Sequence, residues 1–139
     1  MDRVVVDTAA WVRRAGRAER AVEIEAVDAR LEYDPDDPFA VTVRIGAGEA
    51  AIAWVLARDL LADGLRSRKP VGEGHIRVQA TSVLTEVTRL DDDGSAELLR
   101  LPWWNVREFL RATVAVVPRG EEACDVDAWI TALTAPQEP

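Results

Sequence analysis

The segment 39–56 constrains the fold most, because its apolar residues recur at every second position. Alternation runs up to Gly46-Ala47-Gly48 and resumes beyond it. A period of two is typical of a strand with one buried face, and glycines supply the positive φ angles that tight turns need. The segment therefore predicts a β-hairpin whose buried face carries Phe39, Val41, Val43, Ile45, Ala50, Ile52, Trp54 and Leu56.

Further strands are predicted on both sides of this hairpin. Residues 4–12 are apolar enough for a strand, and 22–33 begin with a clear alternation. The cluster Asp34-Pro35-Asp36-Asp37-Pro38 then predicts a turn, because proline fixes φ and aspartate bonds its own backbone. Three later segments complete the set of predicted strands, the last two joined by an acidic turn: 76–80, 83–90 and 95–101.

A short central helix is predicted directly after Ala57, where the apolar spacing changes. Asp59 near its start suits the positive end of a helix, and Gly64 is interpreted as its C-terminal cap. The apolar residues that this helix of two or three turns would bury are Leu60, Leu61 and Leu65.

Two further helices are predicted near the C-terminus. The first follows Pro102, and its apolar residues recur three and four positions apart; the second has Asp125 as its N-cap and runs through 126–133. The order of elements predicts an α+β fold, with antiparallel sheet dominant. The buried face of the first of these helices consists of Val106, Phe109, Leu110, Thr113 and Val117.

The length of 139 residues predicts a single domain, 1–139, and the formal net charge is −8. Proteins that bind nucleic acid gain most of their affinity from Lys and Arg that neutralise phosphates, so this charge makes nucleic acid an unlikely partner. Basic residues bunch at Arg13, Arg14, Arg17 and Arg20, where a nucleic-acid patch is the alternative to a solvated loop; an acidic run follows, so the solvated loop is favoured, and 15–20 are predicted as a charged loop.

No segment approaches the roughly 20 apolar residues that a membrane-spanning helix needs. The chain starts without a basic leader followed by an apolar run. We therefore expect a cytoplasmic protein without stable membrane insertion.

No catalytic, cofactor-binding or metal-binding residue is predicted. Acidic neighbours of Cys124, the single cysteine, would raise the pKa of its thiol, which opposes a role as a nucleophile. His75 is the single histidine, so it cannot form a multi-histidine metal site, and no Ser or Cys lies beside it to form a nucleophile–base pair.

Two short motifs resemble ligand-binding loops but lack features that those loops require. Residues 46–51 match G-x-G-x-x-A, but the dinucleotide-binding motif needs a helix next, and the alternation predicts a strand. The Asp91-Asp92-Asp93-Gly94 sequence begins like a calcium loop, yet its sixth and twelfth positions are Ala96 and Pro102 instead of Gly and Glu. Both are interpreted as turns.

The adjacent Trp103 and Trp104 are the least ordinary feature of the sequence. Neighbouring side chains point in different directions on any regular element, so a single core does not fully bury both. Either both serve packing, or one lies at a protein interface, where tryptophan is enriched among the residues that dominate binding. We take Trp103, Trp104, Arg58 and Asp59 as the candidate partner or oligomer interface.

Three blocks of the sequence resemble the SsgA-like proteins, the sporulation and cell division family of actinomycetes. They are YDPDDPFAV at 33–41, WVLARDLLADGL at 54–65, and FLRAT at 109–113 leading into VPRGEE at 117–122. The resemblance covers roughly residues 20–134, nearly the whole chain.

This resemblance implies a Whirly-like, barrel-like fold of antiparallel sheets backed by helices and assembled as a bell-shaped homotrimer. It also implies a non-enzymatic role in placing or completing sporulation septa, without a cofactor. The implied partners are the tubulin-like FtsZ, other septal or divisome proteins, and a paralogous SsgA-like protein. The protein is accordingly expected to concentrate at cell division septa.

Two main hypotheses about function result. The leading one is an oligomeric adaptor that binds other division proteins, for FtsZ recruitment or for control of the septum site. The alternative is a single-stranded nucleic-acid-binding module, suggested by the Whirly-like fold and by Trp and Arg side chains that could stack on bases. A third hypothesis, a hydrolase, would rest on Cys124, His75 and scattered carboxylates.

Overall fold

The computed structural model describes residues 2–15, 23–72 and 74–122. Cys124, the predicted helix at 126–133 and all but the first residue of the predicted loop at 15–20 lie outside this part. The elements are β1 (Val4–Ala15), β2 (Glu23–Tyr33), β3 (Ala40–Ile45), β4 (Ile52–Ala57), α1 (Arg58–Leu65), β5 (Ile76–Ala80), β6 (Leu84–Leu90), β7 (Ala96–Pro102) and α2 (Trp103–Val116).

The seven strands form one antiparallel sheet in the order β4-β3-β2-β1-β7-β6-β5. The central strand β1 pairs with β2 on one side and with β7 on the other, so that Trp11 lies opposite both Ala26 and Arg100. Because both neighbours continue the ladder, β1 is longer than predicted. Arg13 and Arg14 are therefore strand residues, which corrects their assignment to a solvated loop.

The sheet curls until its two ends approach each other. Helix α1 follows β4 directly, yet it packs on β5 at the opposite end of the strand order. The guanidinium carbon of Arg89 on β6 lies 4.7 Å from the centre of the Trp54 ring on β4, although four strands separate β6 from β4. Strand-to-strand twist accumulated over seven strands produces such a curl.

The core lies on the face of the sheet that the alternation predicts. The predicted buried face of the 39–56 hairpin is confirmed at Val41, Val43, Ile45, Trp54 and Leu56. It is wrong at Phe39, Ala50 and Ile52, which are exposed. Phe39 precedes β3, Ala50 belongs to the turn, and Ile52 opens an edge strand. The largest fully buried side chains are Tyr33, Phe109, Leu31, Leu61, Leu99, Leu101, Val41, Val43, Val78, Val87, Val106 and Thr85.

The turn between β3 and β4 uses its glycines as predicted. Gly46 and Gly48 have φ angles of 88° and 67°, and Gly48–Ala50 form a single 3-10 turn. The chain then enters β4, with Ile45 opposite Ile52. Because a strand follows the glycines, this loop has no helix N-terminus to hold a pyrophosphate.

Gly64 does not cap α1, which corrects its predicted role. It lies inside the helix and is buried, and the helix continues to Leu65. A Cβ atom at position 64 would overlap the Val78 side chain of β5 and would lie 3.0 Å from the Val78 carbonyl carbon. The glycine is therefore needed for the close approach of α1 to β5.

Helix α2 begins directly after Pro102, as predicted. Its predicted inner face is confirmed: Val106, Phe109 and Thr113 are fully buried, and the Thr113 hydroxyl donates a 2.7 Å hydrogen bond to the Leu110 carbonyl. α1 and α2 contact each other as well as the sheet. The fold is thus α+β, one antiparallel sheet with two helices among the described residues.

Candidate functional site

The two adjacent tryptophans occupy different environments at the start of α2. The Trp103 indole is half-buried, and its Nε1–H donates a 3.0 Å hydrogen bond to the Leu65 carbonyl. That carbonyl lies in the last turn of α1, where backbone oxygens lack helical partners. Trp104 is 60% exposed, which is unusual for so large an apolar side chain. Trp103 therefore ties α2 to α1, and Trp104 is a surface residue.

Arg107, one turn further along α2, lies over both indoles. Its guanidinium carbon is 5.9 Å from the centre of the Trp103 ring and 4.9 Å from that of Trp104. The same guanidinium donates a 3.2 Å hydrogen bond to the Glu108 carboxylate. Arginine above an indole gains cation–π energy. The start of α2 thus presents an aromatic and cationic surface.

A groove of about 580 Å³ runs between α1 and α2, next to this surface. We call it the interhelical groove. Its apolar residues come from both helices, and four arginines stand among them. In a chain of net charge −8, this is a local concentration of positive side chains. The groove is lined by Ala62, Leu65, Arg66, Trp103, Arg107, Leu110, Arg111, Val114, Ala115 and Arg119.

Arg58, a predicted interface residue, is only 2% exposed. Its guanidinium donates hydrogen bonds of 3.3 Å and 2.7 Å to the carbonyls of Thr113 and Val117, and one of 2.6 Å to Glu122. It also lies 5.1 Å from the centre of the Tyr33 ring. Arg58 therefore holds the end of α2 inside the protein and presents no side chain to a partner, which corrects its inclusion in the interface.

Asp59 is exposed, and it belongs to a surface ion-pair set. Arg119 donates a 3.0 Å hydrogen bond to Asp59 and a 2.8 Å hydrogen bond to Asp63, one turn apart on α1. Like the pair of Arg58 with Glu122, this set joins α1 to the segment that follows α2.

The three sequence blocks that suggested a family meet at Arg58. Tyr33 of the first block donates a 3.0 Å hydrogen bond from its hydroxyl to the Pro38 carbonyl, and its ring lies beneath the guanidinium. Burial raises the pKa of the Tyr33 hydroxyl. The hydrogen bond from Arg58 lowers the pKa of Glu122, in the third block, below its usual value. Arg58 and the residues that it contacts form a structural junction between distant parts of the chain.

His75 lies next to the acidic turn between β6 and β7. His75 is exposed, with Nδ1 2.8 Å from the Leu90 carbonyl and Nε2 3.6 Å from Asp92. Hydrogen bonds from Ser95 lower the pKa of Asp93. Over the described ranges, no group of three or more His, Cys, Asp or Glu side chains is placed to hold a metal ion. Nor does this part of the chain contain a helix with the length and apolarity to cross a membrane.

Sequence reasoning missed the arginines of the interhelical groove. The sequence pattern predicted only the buried face of α2, and it gave no role to Arg66, Arg107 or Arg111. A signal was present: Trp103, Arg107 and Arg111 are spaced by four, and residues so spaced share one helix face. That α1 supplies the opposite wall depends on tertiary packing.

Comparison with known proteins places the chain in a family. The family model described as Streptomyces sporulation and cell division protein, SsgA, matches residues 27–122. A sporulation-specific cell division protein of Frankia casuarinae is 39% identical over 110 residues, which are 76% of this chain and 73% of that protein. The sporulation-specific cell division protein SsgB of Salinispora tropica is 39% identical over 118 residues, 78% of this chain and 80% of that protein.

Solved structures share the fold. The crystal structure of an SsgA-like sporulation-specific cell division protein from Thermobifida fusca matches with a TM-score of 0.71, at 25% identity and over 95% of both chains. A second structure, from work relating mutations in SsgB to longitudinal cell division during sporulation of Streptomyces coelicolor, matches with a TM-score of 0.70 at 33% identity, over 87% of this chain and 93% of that one.

The resemblance inferred from the three blocks is thereby confirmed. The family model spans well over half of the chain, and the relatives match along most of their own length. This chain belongs to the SsgA family of sporulation and cell division proteins.

Proposed function

We propose that this protein is a non-enzymatic adaptor of sporulation-specific cell division, which binds other division proteins as a homotrimer of Whirly-like subunits. Family membership supports the process, because the relatives are named sporulation-specific cell division proteins. The observation that carries the adaptor role is Trp104, an indole 60% exposed beside the interhelical groove. Exposed tryptophan flanked by arginine is typical of the residues that dominate protein interfaces.

The partners we propose are FtsZ, other septal or divisome proteins, and a paralogous SsgA-like protein. The protein would work in the cytoplasm and concentrate at cell division septa. Its output would be the recruitment of a partner or the choice of a septum site. Trp103, Trp104 and Asp59 remain the proposed interface, without Arg58, whose guanidinium is buried.

Localisation and capture test this proposal together. A fluorescent fusion that replaces the native copy in a sporulating host should concentrate at septa, and the purified protein should co-sediment with FtsZ polymers or retain a named septal protein. Trp104→Ala should weaken that capture, since it removes the exposed indole without disturbing the core.

Phe39→Ala is the matched control, because Phe39 is a 51% exposed aromatic residue away from the interhelical groove. Its capture should equal that of the unchanged protein. A diffuse fusion, together with no capture of FtsZ or of any septal protein, would refute the adaptor role.

The nucleic-acid alternative is not proposed. The net charge of −8 opposes binding to phosphates. Arg107 lies over one face of each indole, so that face is not open for stacking on a base.

A further inference from the structure

We propose that the interhelical groove is the docking site for an acidic, amphipathic segment of a partner protein. The inference rests on the adaptor function proposed above and specifies the chemistry of the partner. Two properties of the groove carry it: an apolar floor open to solvent, and arginines whose charge no described carboxylate fully neutralises.

The apolar floor of the groove would contact apolar side chains of the partner segment. Leu65 and Leu110 lie at its base, and Val114 on α2 is 40% exposed above them. Ala115 beside it is small and exposed, so a partner side chain can approach the backbone of α2 closely. A hydrophobic groove is a common binding site for the apolar face of an amphipathic helix from another protein.

The length of the groove fits such a segment. Helix α2 has 14 residues, so it extends for about 21 Å at 1.5 Å per residue. Its groove residues run from Trp103 to Ala115, nearly the whole helix. A partner helix of three or four turns could therefore lie alongside α2.

The arginines of the groove would bind carboxylates that lie beside the apolar residues of the partner segment. Arg66 is exposed at the end of α1, and none of the described carboxylates lies within ion-pair distance of its guanidinium. Arg111 on α2 is exposed, and its guanidinium is 3.9 Å from Glu108, too far for a direct hydrogen bond. The two arginines thus offer free donors from the two helices, and guanidinium donors bind carboxylates in a forked geometry.

The other two arginines of the groove already have partners within the protein. Arg119 is held by Asp59 and Asp63, and Arg107 by Glu108 and the indoles. This makes the groove selective for a few carboxylates around an apolar centre. A nucleic acid would instead need many free cations and open aromatic faces.

Fluorescence anisotropy with designed peptides tests the inference on the full-length protein. The first probe is a labelled helical peptide of about 14 residues, roughly four turns, with leucines on one face and glutamates beside them. The second has glutamine in place of each glutamate, and the third has lysine there. We expect the glutamate peptide to bind about tenfold more tightly than the glutamine peptide, and the lysine peptide to bind most weakly.

Charge reversal locates the site. Arg66→Glu and Arg111→Glu should each weaken binding of the glutamate peptide by about tenfold, and Val114→Gln by about fivefold. Arg3→Glu is the matched control, because Arg3 is an exposed arginine on the N-terminal side of β1 and lies outside the groove. It makes the same change in net charge and should alter the dissociation constant by less than about twofold.

Several outcomes would overturn the inference. One is equal binding of the glutamate and lysine peptides, and another is loss of affinity in Arg3→Glu as large as in Arg111→Glu. A single-stranded oligonucleotide that binds while the glutamate peptide does not would assign the groove to nucleic acid. A drop in molar mass in Arg111→Glu would assign it to a second copy of this chain.

The chain's own C-terminal residues are the remaining alternative occupant. A spin label on Cys124 should have the same mobility in Arg111→Glu as in the unchanged protein. Increased mobility in that variant would mean that residues 123–139 fill the groove, which would contradict docking of a partner.

Capture of the septal partner protein by the same variants distinguishes a failure of this inference from a failure of the adaptor function. If Arg66→Glu and Arg111→Glu lose the glutamate peptide and also lose the septal partner, both proposals hold. If they lose the peptide but still capture the septal partner, the adaptor function stands and the groove is not the partner's site.

Discussion

Arg58 carries a full charge in an almost fully buried position, and the surrounding groups explain how the fold tolerates it. Two of its acceptors are the carbonyls of Thr113 and Val117, at the C-terminal end of α2, where a helix favours a cation. The third is Glu122, which balances the charge. Removing one partner of a buried ion pair leaves the other uncompensated, and this is strongly destabilising.

We therefore predict that Arg58→Met lowers the free energy of unfolding by about 3 kcal/mol. Arg119→Met makes the same chemical change at an exposed arginine that pairs with Asp59 and Asp63, and it should cost less than about 1 kcal/mol. Urea denaturation of both variants measures the difference. Equal losses would mean that the Arg58 guanidinium contributes no more than a surface ion pair does.

Glu122 makes part of this stability dependent on pH. The hydrogen bond from Arg58 lowers the pKa of Glu122 in the folded state below the ordinary value of 4.5. A lowered carboxyl pKa means that the folded state holds the proton more weakly than the unfolded state does. The stabilisation is therefore complete well above pH 4.5 and is lost as the pH falls through the folded pKa.

Comparison with Glu122→Gln isolates this contribution, since other carboxylates also titrate in that range. The unchanged protein should be more stable than Glu122→Gln at neutral pH, and the difference should shrink as the pH falls below about 4.5. Unfolding free energies measured across the acidic range provide the check. A difference that stays constant with pH would show that Glu122 titrates alike in both states.

Prediction from sequence was weakest for the environments of individual side chains. The pair Trp103 and Trp104 was correctly expected to divide between environments, because adjacent side chains diverge on any element. The burial of Arg58 was not predictable, because its partners Thr113, Val117 and Glu122 lie 55 to 64 positions away along the chain. Local patterns contain no information about such distant acceptors.

At the scale of elements, Gly64 fixes how closely α1 lies against β5. Replacing glycine with alanine inside a helix normally stabilises it by about 1 kcal/mol. Here the added methyl group would overlap Val78, a fully buried residue of β5. Because of this clash, the substitution should destabilise the protein instead of stabilising it.

We predict that Gly64→Ala lowers the free energy of unfolding by roughly 1–3 kcal/mol through overpacking. Val78→Gly removes both side-chain atoms that the added methyl group would overlap, Cγ1 and Cβ, so the double variant should be more stable than the sum of the two single losses implies, by about 0.5–3 kcal/mol. A double-mutant cycle from thermal or urea unfolding measures this coupling. Strict additivity would show that α1 can move away from β5 at little cost.

Element prediction succeeded where the signal was local. The alternation in 39–56 and the spacing of Val106, Phe109 and Thr113 identified β3, β4 and α2 without tertiary information. The extension of β1 to Ala15 was missed, because two neighbouring strands support it and the side-chain pattern does not. The role of Gly64 was missed for the same reason, since it depends on contact with Val78.

At the scale of the whole molecule, the two edges of the curled sheet differ. The outer edge of β5 is covered: Val71 and Val78 exchange backbone hydrogen bonds of 2.8 Å and 2.9 Å, and the Ala80 N–H donates a 2.7 Å hydrogen bond to the Ser67 carbonyl. No strand of the described part pairs with the outer edge of β4. β4 also exposes Val55, and an open edge with exposed apolar residues is a template for association with another chain.

The homotrimer proposed above should therefore depend on β4. Val55 is 57% exposed, so Val55→Lys adds a charge to its outer surface without changing the core. Light scattering should give the unchanged protein a molar mass three times the chain mass of 15.3 kDa, and Val55→Lys should shift it toward one chain. Val114→Lys introduces the same charge at an exposed valine of the interhelical groove and should leave the mass unchanged, because that surface is assigned to a partner protein and not to a second copy. A trimer that persists in Val55→Lys would place the contact between copies elsewhere, and a single-chain mass for the unchanged protein would refute the trimer itself.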